Sequence, residues 1–471
     1  MNDTLDGPLA SDRSSRWCIV GAGPAGLTTA KNFQDLGIPF DVLERDQALG
    51  GIWRYNEPGS SVYRSTCMIS SKRMTAFRGF PVPEHTQDYM RHDEGLAYLV
   101  AYARHHGLAD QIEFDREVTK AYRTEHCWIV ELADGEWRRY RGLVIATGHH
   151  WDPRSPRYRG TFSGRILHSA EYRTPALLQD KRVLVVGTGN SGSDIAVESS
   201  RTASATFHSI RSGCYYLPKF FLGRPMDEVM EIPVRWHAPR WTHRLVRRVA
   251  IRAVFGDPSR LGLPRPTHRI MEGRLILNSD LVHCVAHGWI TPKPDVEELL
   301  GDRVRFSDGS EEEIDVIIHA TGFHLSIPFV DPGELRVRGP NQNPDFRLHV
   351  FHPERDDIFI IGMIQPDSGA WWLFDDQAKA VARYIRACET GEAGALRARR
   401  AVDRRSHVVY QPSGVAGPHS SMRVDHNRYE VLLRRLRRDL ESAMTSRRVG
   451  RGHGKESDDW REESRDQRDP G

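Results

Sequence analysis

Short apolar runs rich in β-branched residues alternate along the chain with stretches whose apolar positions recur every three to four residues. That alternation predicts an α/β architecture. "WCIVG", a helix from Pro24 to about Leu36, and "PFDVLE" form a first β-α-β unit. "KRVLVVG", a helix from about Asn190 to Ser200, and "ATFHSIR" form a second, and this repeated half is the only internal repeat. Further on, "EIDVIIHATGF" and "DIFIIGM" predict strands and "LFDDQAKAVARYIRAC" a helix. Between Tyr215 and Pro294 the pattern is less regular and rich in Pro, Arg and Trp. Within it "PRWTHRLVRRVAIRAVFG" predicts a helix basic on one side, with Trp241, Leu245, Val249, Ile251 and Phe255 on the other. A membrane surface could receive such a face. Covering a neighbouring domain is the commoner use of an amphipathic helix and is the reading preferred here.

The ends carry no such pattern. Residues 1–15 are polar, and residues 446–471 are charged and almost free of aliphatic side chains, so both are expected to be disordered. The start lacks the features of a signal peptide, and no apolar run approaches the roughly 20 residues of a membrane span. With 471 residues and a net charge of +3, the chain has room for two or three domains, and nothing in the total demands nucleic acid. Cys18, Cys67, Cys127, Cys214, Cys284 and Cys388 are scattered with no C-x-x-C pair. That excludes a thioredoxin-like redox centre and argues for a reducing compartment, hence a cytoplasmic protein.

The chemistry sits where each strand turns into its helix. Gly21 permits the turn, Gly23 lets a pyrophosphate approach the backbone, and Gly26 lets helix and strand pack closely. The helix start offers free N–H groups to phosphate. Glu44 ends the next strand, 18 residues after Gly26, where an acid binds ribose hydroxyls. Gly187, Gly189 and Gly192 repeat the arrangement, but their following strand ends in Ser209, Ile210 and Arg211 with no carboxylate. A hydroxyl and a guanidinium suit a 2′-phosphate that an acid would repel, which points to NADPH over NADH. Two loops imply two dinucleotides, one a resident FAD and the other NADPH.

Between the loops, "FSGRILHSAEY" (Phe162, Gly164, His168, Tyr172) resembles the F-x-G-x-x-x-H-x-x-x-(Y/F) fingerprint of the flavin-containing monooxygenases. The similar Baeyer–Villiger motif ends in Trp, so Tyr172 leans towards the N- and S-oxygenating branch. "GGIW" resembles the turn that flavoproteins place beside FAD, and "VIATGHHWDP" and "VIIHATGFH" resemble the family's A-T-G linkers. "SVYRSTCMISSKRM", "FPVP" and "FIIGMIQP" follow in family order, and the resemblance spans about Arg16 to Ala443.

The resemblance implies two Rossmann-like domains, with an NADPH domain (155–315) inserted into a discontinuous FAD domain (16–154 and 316–445). It further implies a C4a-hydroperoxyflavin that oxygenates an amine nitrogen or sulfide of a small molecule, using O₂ and no metal. The alternatives are Baeyer–Villiger attack on a ketone and an NADPH oxidase releasing hydrogen peroxide. A homodimer is the default assembly. Cofactor contacts carry over to Gly21, Gly23, Pro24, Ala25, Gly26, Glu44, Gly51 and Trp53, and to Gly187, Gly189, Asn190, Ser191, Gly192, Ser209 and Arg211. They carry over also to Thr321, Gly322, Gln365, Asp375 and Gln377, with His168 and Tyr172 as candidate catalytic residues.

Two positions depart from the family pattern. Where the family has an asparagine beside the flavin, this chain has Ile69, which cannot donate a hydrogen bond, so Ser70 or Ser71 is the candidate substitute. After Gln365, Trp371 and Trp372 stand where smaller residues are usual, predicting an aromatic-walled pocket.

Overall fold

The computed structural model describes residues 10–235, 239–268, 270, 275–338, 343–406 and 422–445. Two parallel sheets organise it. In the first, Ile112–Glu113, Phe40–Leu43, Ser11–Val20, the second half of Trp137–Ile145, and Ile358–Ile360 lie side by side and parallel. On its other side, the first half of Trp137–Ile145 pairs antiparallel with Trp128–Leu132, which in turn pairs with Val118–Arg123. Cys18 and Ile19 are wholly buried, as a strand covered on both faces requires. Helix Pro24–Asp35 begins with proline, whose fixed φ and missing N–H suit a first turn. Its Phe33 packs edge-on against Trp17 at 6.2 Å.

The second sheet runs Thr291–Lys293, Ala205–Ser209, Arg182–Val186, Val316–His319, Arg165–His168, all parallel. Helix Asn190–Ser199 crosses from the third of these to the second. The architecture is thus α/β with two Rossmann-type halves.

Three expectations change. The boundary expected at 315/316 falls inside the second sheet, because Val316–His319 pairs there with Val183–Val186, and the chain leaves only at Ala320–Gly322. Just beyond, His324 and Phe323 pair with Asp152 and Pro153, so the two linkers form one small antiparallel hinge. The disorder expected through residue 15 does not hold for Ser11–Ser15, which lie in the first strand, with Ser11 opposite Arg138. An alternating polar sequence suits a strand edge, and Arg13 and Arg16 reach Asp41 at 3.8 and 2.6 Å. Residues 1–9 and 446–471 lie outside the described residues.

Third, helix Arg240–Phe255 covers a neighbour with only one side. Ala250 and Ile251 are buried with Leu217, Met226 and Met230. Trp241, Leu245 and Val249 face outward, 63%, 49% and 50% exposed. Among the described residues no helix is long and apolar enough to cross a membrane.

Candidate active site

One cavity of about 1940 Å³ runs between the two halves and is lined by both glycine loops. In the first, Gly21 has φ +105, a backbone angle that side chains resist, and a Cβ there would lie 2.8 Å from the Ala146 carbonyl oxygen. A Cβ on Gly26 would come within 1.8 Å of the Gly21 oxygen, so helix and turn touch backbone to backbone. Gly23 differs: its nearest neighbour would be 3.9 Å away, across open cavity.

The second loop repeats this. Gly187 has φ +122 and backs onto Ala320, a Cβ on Gly192 would lie 2.1 Å from the Gly187 oxygen, and Gly189 has nothing within 4 Å. Both helices start at a glycine, Gly23 or Gly189, whose position offers no side-chain cap. Their first N–H groups therefore face the cavity without a side-chain acceptor, which fits a pyrophosphate at each.

Glu44 is buried and anchored: Ala22 N–H donates to one oxygen at 2.6 Å and Asp46 N–H to the other at 3.0 Å. Burial pushes its carboxyl above the ordinary range against those two bonds. The remaining lone pairs face the cavity, as do Pro24, Ala25, Gly51 and Trp53. The Thr147 hydroxyl, on the linker beside Gly21, is buried without a hydrogen-bond partner and also lines the cavity. An orphaned hydroxyl there fits a ligand group.

At the second loop, Asn190, Ser191, Ser209 and Arg211 line the cavity, with Arg211 exposed. The Asn190 side chain accepts from Leu277 N–H at 3.0 Å, and the Ser209 hydroxyl donates to the Pro294 carbonyl at 2.7 Å. Thr321, Gly322 and Gln365 line it as well.

Six expected site residues do not, two of them Gly26 and Gly192, which pack each helix onto its own turn. His168 is buried in the hinge, where Nε2–H donates to the Gly322 carbonyl at 3.0 Å and Nδ1 accepts from Ala170 N–H at 3.1 Å. With both nitrogens used and burial lowering its pKa, it is a neutral brace. Tyr172 is wholly buried and donates to Glu198 at 2.6 Å. His168 thus braces the hinge and Tyr172 ties to helix Asn190–Ser199, and neither lines the cavity. Asp375 accepts from Asn32 at 2.8 Å and Lys379 at 2.5 Å on the inner face of helix Trp371–Glu389. Gln377 accepts from Gly362 N–H at 3.0 Å and donates to Tyr429 at 2.8 Å. It positions Gly362, which does line the cavity.

Ile69 is 52% exposed and Ser70 lies beside it in the cavity wall. The Ser70 hydroxyl is paired with that of Thr75 at 2.8 Å, and Ser71 is fully buried as the cap of Lys72–Thr75. Of the two tryptophans, Trp371 lines the cavity and meets Trp53 edge-on at 5.6 Å, forming an aromatic wall. Trp372 turns away to His426, at 4.9 Å, and under Arg78, at 4.6 Å.

The irregular insertion supplies what sequence reasoning missed. Helix Met226–Arg235 borders the cavity, with Met226, Asp227, Met230 and Glu231 in its lining. The Ser71 N–H donates to Asp227 Oδ2 at 2.6 Å, and burial pushes that carboxyl up to about 6. No motif marks Asp227. Arg45 and Thr147, also in the lining, could have been found beside Glu44 and in the A-T-G linker.

A family profile described as "Flavin-binding monooxygenase-like" matches residues 14–393. The chain is 31% identical over 374 residues to flavin-containing monooxygenase 5 of Rattus norvegicus, covering 74% of this chain and 69% of the relative. It is 30% identical over 399 residues to flavin-containing monooxygenase 1 of Canis lupus familiaris, covering 79% and 74%. Among solved structures, the fold is similar to the S-allyl-L-cysteine S-oxygenase of Allium sativum (TM-score 0.64, 20% identity, 92% of each chain). It is also similar to the NADP⁺-bound cyclohexanone monooxygenase of Rhodococcus sp. Phi1 (TM-score 0.61, 18% identity, 82% and 86%).

Proposed function

The chain belongs to the flavin-binding monooxygenase-like family, a flavin- and NADPH-using oxidoreductase acting with O₂ on a small molecule, and from that premise we propose how its residues divide the work. FAD is the flavin, held at Gly21, Gly23 and Pro24 with Glu44 on its ribose. NADPH takes the second loop, with Arg211 on the 2′-phosphate and Ser209 holding the strand end through Pro294. The oxygen goes to an amine nitrogen or a sulfide sulfur. One observation carries this reading: a single cavity joins two geometrically equivalent loops. At about 1940 Å³ it is roughly twice the ~1,000 Å³ upper end of ordinary ligand pockets.

When bound, the flavin supplies hydride acceptance and oxygen activation. The protein orients and seals. Trp53 and Trp371 form an aromatic wall, Ile69 offers an apolar surface, and Met226 and Met230 of helix Met226–Arg235 add apolar lining. The first turn of helix Trp371–Glu389, through Ala370, Trp371 and Phe374, presents its positive end to the cavity, favouring an anionic ring. His168 braces the hinge. A cytoplasmic setting is supported by six free cysteines.

The test is product stoichiometry. With a tertiary amine or a thioether, one N- or S-oxide is expected per NADPH consumed. Hydrogen peroxide accounting for all the NADPH with every substrate would refute oxygenation, and lactone from a cyclic ketone would favour the Baeyer–Villiger alternative.

Two substitutions probe the parts. Arg211→Ala removes a charge-assisted contact worth roughly 1.5–3 kcal/mol, so KM for NADPH should rise about 10- to 100-fold with NADH little affected. Steady-state kinetics with both nucleotides checks this. Ile69→Asn restores a donor in the cavity wall, and the fraction of NADPH lost to hydrogen peroxide should fall severalfold in a peroxide assay.

A further inference from the structure

We propose that Asp227 is the residue by which this enzyme selects a cationic amine over a neutral sulfide, pairing with the ammonium group and taking its N–H proton. This rests on the amine-or-sulfide reading above and narrows it.

Asp227 belongs to the insertion between Ala205–Ser209 and Thr291–Lys293, yet it reaches across to the other half of the protein. Its Oδ2 accepts from Ser71 N–H at 2.6 Å and its Oδ1 from Glu228 N–H at 3.0 Å. Both partners are neutral. Among the described residues no Lys or Arg lies within ion-pairing distance of Asp227, and the nearby Arg73 is turned to Glu228 at 3.8 Å. A carboxylate in a covered cavity is normally matched by a cation. These N–H groups and the Ser71 side chain stabilise the anion but leave its charge unbalanced, and Asp227 lines the cavity together with Ile69 and Ser70.

The neighbours fit the same ligand. Met226 and Met230 flank Asp227 on the cavity side and give polarizable apolar contact. Trp53 and Trp371 form an aromatic wall of the same cavity. Glu231, one turn on, adds negative charge and is tied to Asn427 at 3.0 Å. Although burial pushes the Asp227 carboxyl up to about 6, at neutral pH it is mostly ionised and able to accept a proton.

An ammonium nitrogen has no lone pair to receive oxygen. Transfer of its proton to Asp227 leaves a neutral amine, whose lone pair forms the N–O bond. The O–O bond breaks and the second oxygen leaves as water, its two hydrogens being the hydride from NADPH and the proton held on Asp227, which returns to its anion.

The experiment uses the holoenzyme and its Asp227→Asn variant, which keeps an oxygen for Ser71 N–H and hence the tie between the halves. Substrates are a tertiary amine and a thioether of matched shape, at pH 8. The expected result is a fall in kcat/KM for the amine at least tenfold greater than for the thioether. Benzyltrimethylammonium, which cannot be oxygenated, should inhibit the wild type and lose about tenfold in affinity in the variant. Parallel losses for both substrates would overturn the proposal and leave Asp227 as a tie between the halves, and equal kinetics in wild type and variant would overturn it as well. Should the variant not fold, wild-type inhibition by the quaternary cation and by its neutral tert-butyl isostere decides, with equal inhibition overturning it. Oxygenation of neither substrate by the wild type would overturn both this and the reading it rests on.

Discussion

Gly26→Ala is expected to yield protein purified without its flavin. The new methyl carbon would lie 1.8 Å from the Gly21 carbonyl oxygen, well inside any tolerated contact. The obstructing atom is backbone, so no rotamer change relieves it, and the turn is fixed in turn by Gly21 N–H donating to Leu43 at 2.8 Å. Helix Pro24–Asp35 has to draw back from the strand, carrying its first N–H groups away from the pyrophosphate. Flavin affinity should fall at least about 100-fold, a loss of ~2.7 kcal/mol or more. The absorbance ratio at 450 and 280 nm measures it, and a wild-type ratio would remove the first loop from the flavin site.

Gly192→Ala is expected to do the converse. Its methyl carbon would lie 2.1 Å from the Gly187 oxygen, again backbone, in a turn tied by Gly187 N–H to Ser209 at 3.1 Å. The flavin stays, because the first loop is untouched. Anaerobic reduction by NADPH at a fixed concentration should slow about 100-fold, while dithionite still bleaches the flavin at the wild-type rate. Loss of flavin here, with NADPH reduction lost in Gly26→Ala, would exchange the two assignments. The steric fault is the same at both positions, and only the dinucleotide that leaves differs.

The glycine loops were legible because their constraint is local: the turn, the close helix–strand contact and the open approach each fix one residue within six positions. Glu44 was legible for the same reason. The fingerprint was legible as a pattern but not as a role. His168 is tied to the hinge through Gly322 and Tyr172 to helix Asn190–Ser199 through Glu198, and a sequence does not say which way a side chain faces. Asp375 and Gln377 failed through helical phase. Ala370, Trp371 and Phe374 turn to the cavity, and that leaves 375 and 377 facing Asn32 and Tyr429. Asp227 was illegible because its partner lies 156 residues away, on an element whose placement no short-range rule determines. Ser11–Ser15 misled for the opposite reason: a polar alternation that looks solvated is also what an edge of sheet tolerates.

The pairing of Ile358–Ile360 with Leu143–Ile145 sets an order of events on the ribosome. All five strands of the second sheet lie between Arg165 and His319, so that half is complete in synthesis before the first sheet can close. At the usual 5–20 residues per second, about 10–40 s pass between emergence of residue 145 and of residue 360. Throughout that wait the edge at Leu143–Ile145 has no final neighbour. A nascent chain stalled before Ile358 would present that open edge to chaperones, and flavin capture would be among the last steps of its maturation.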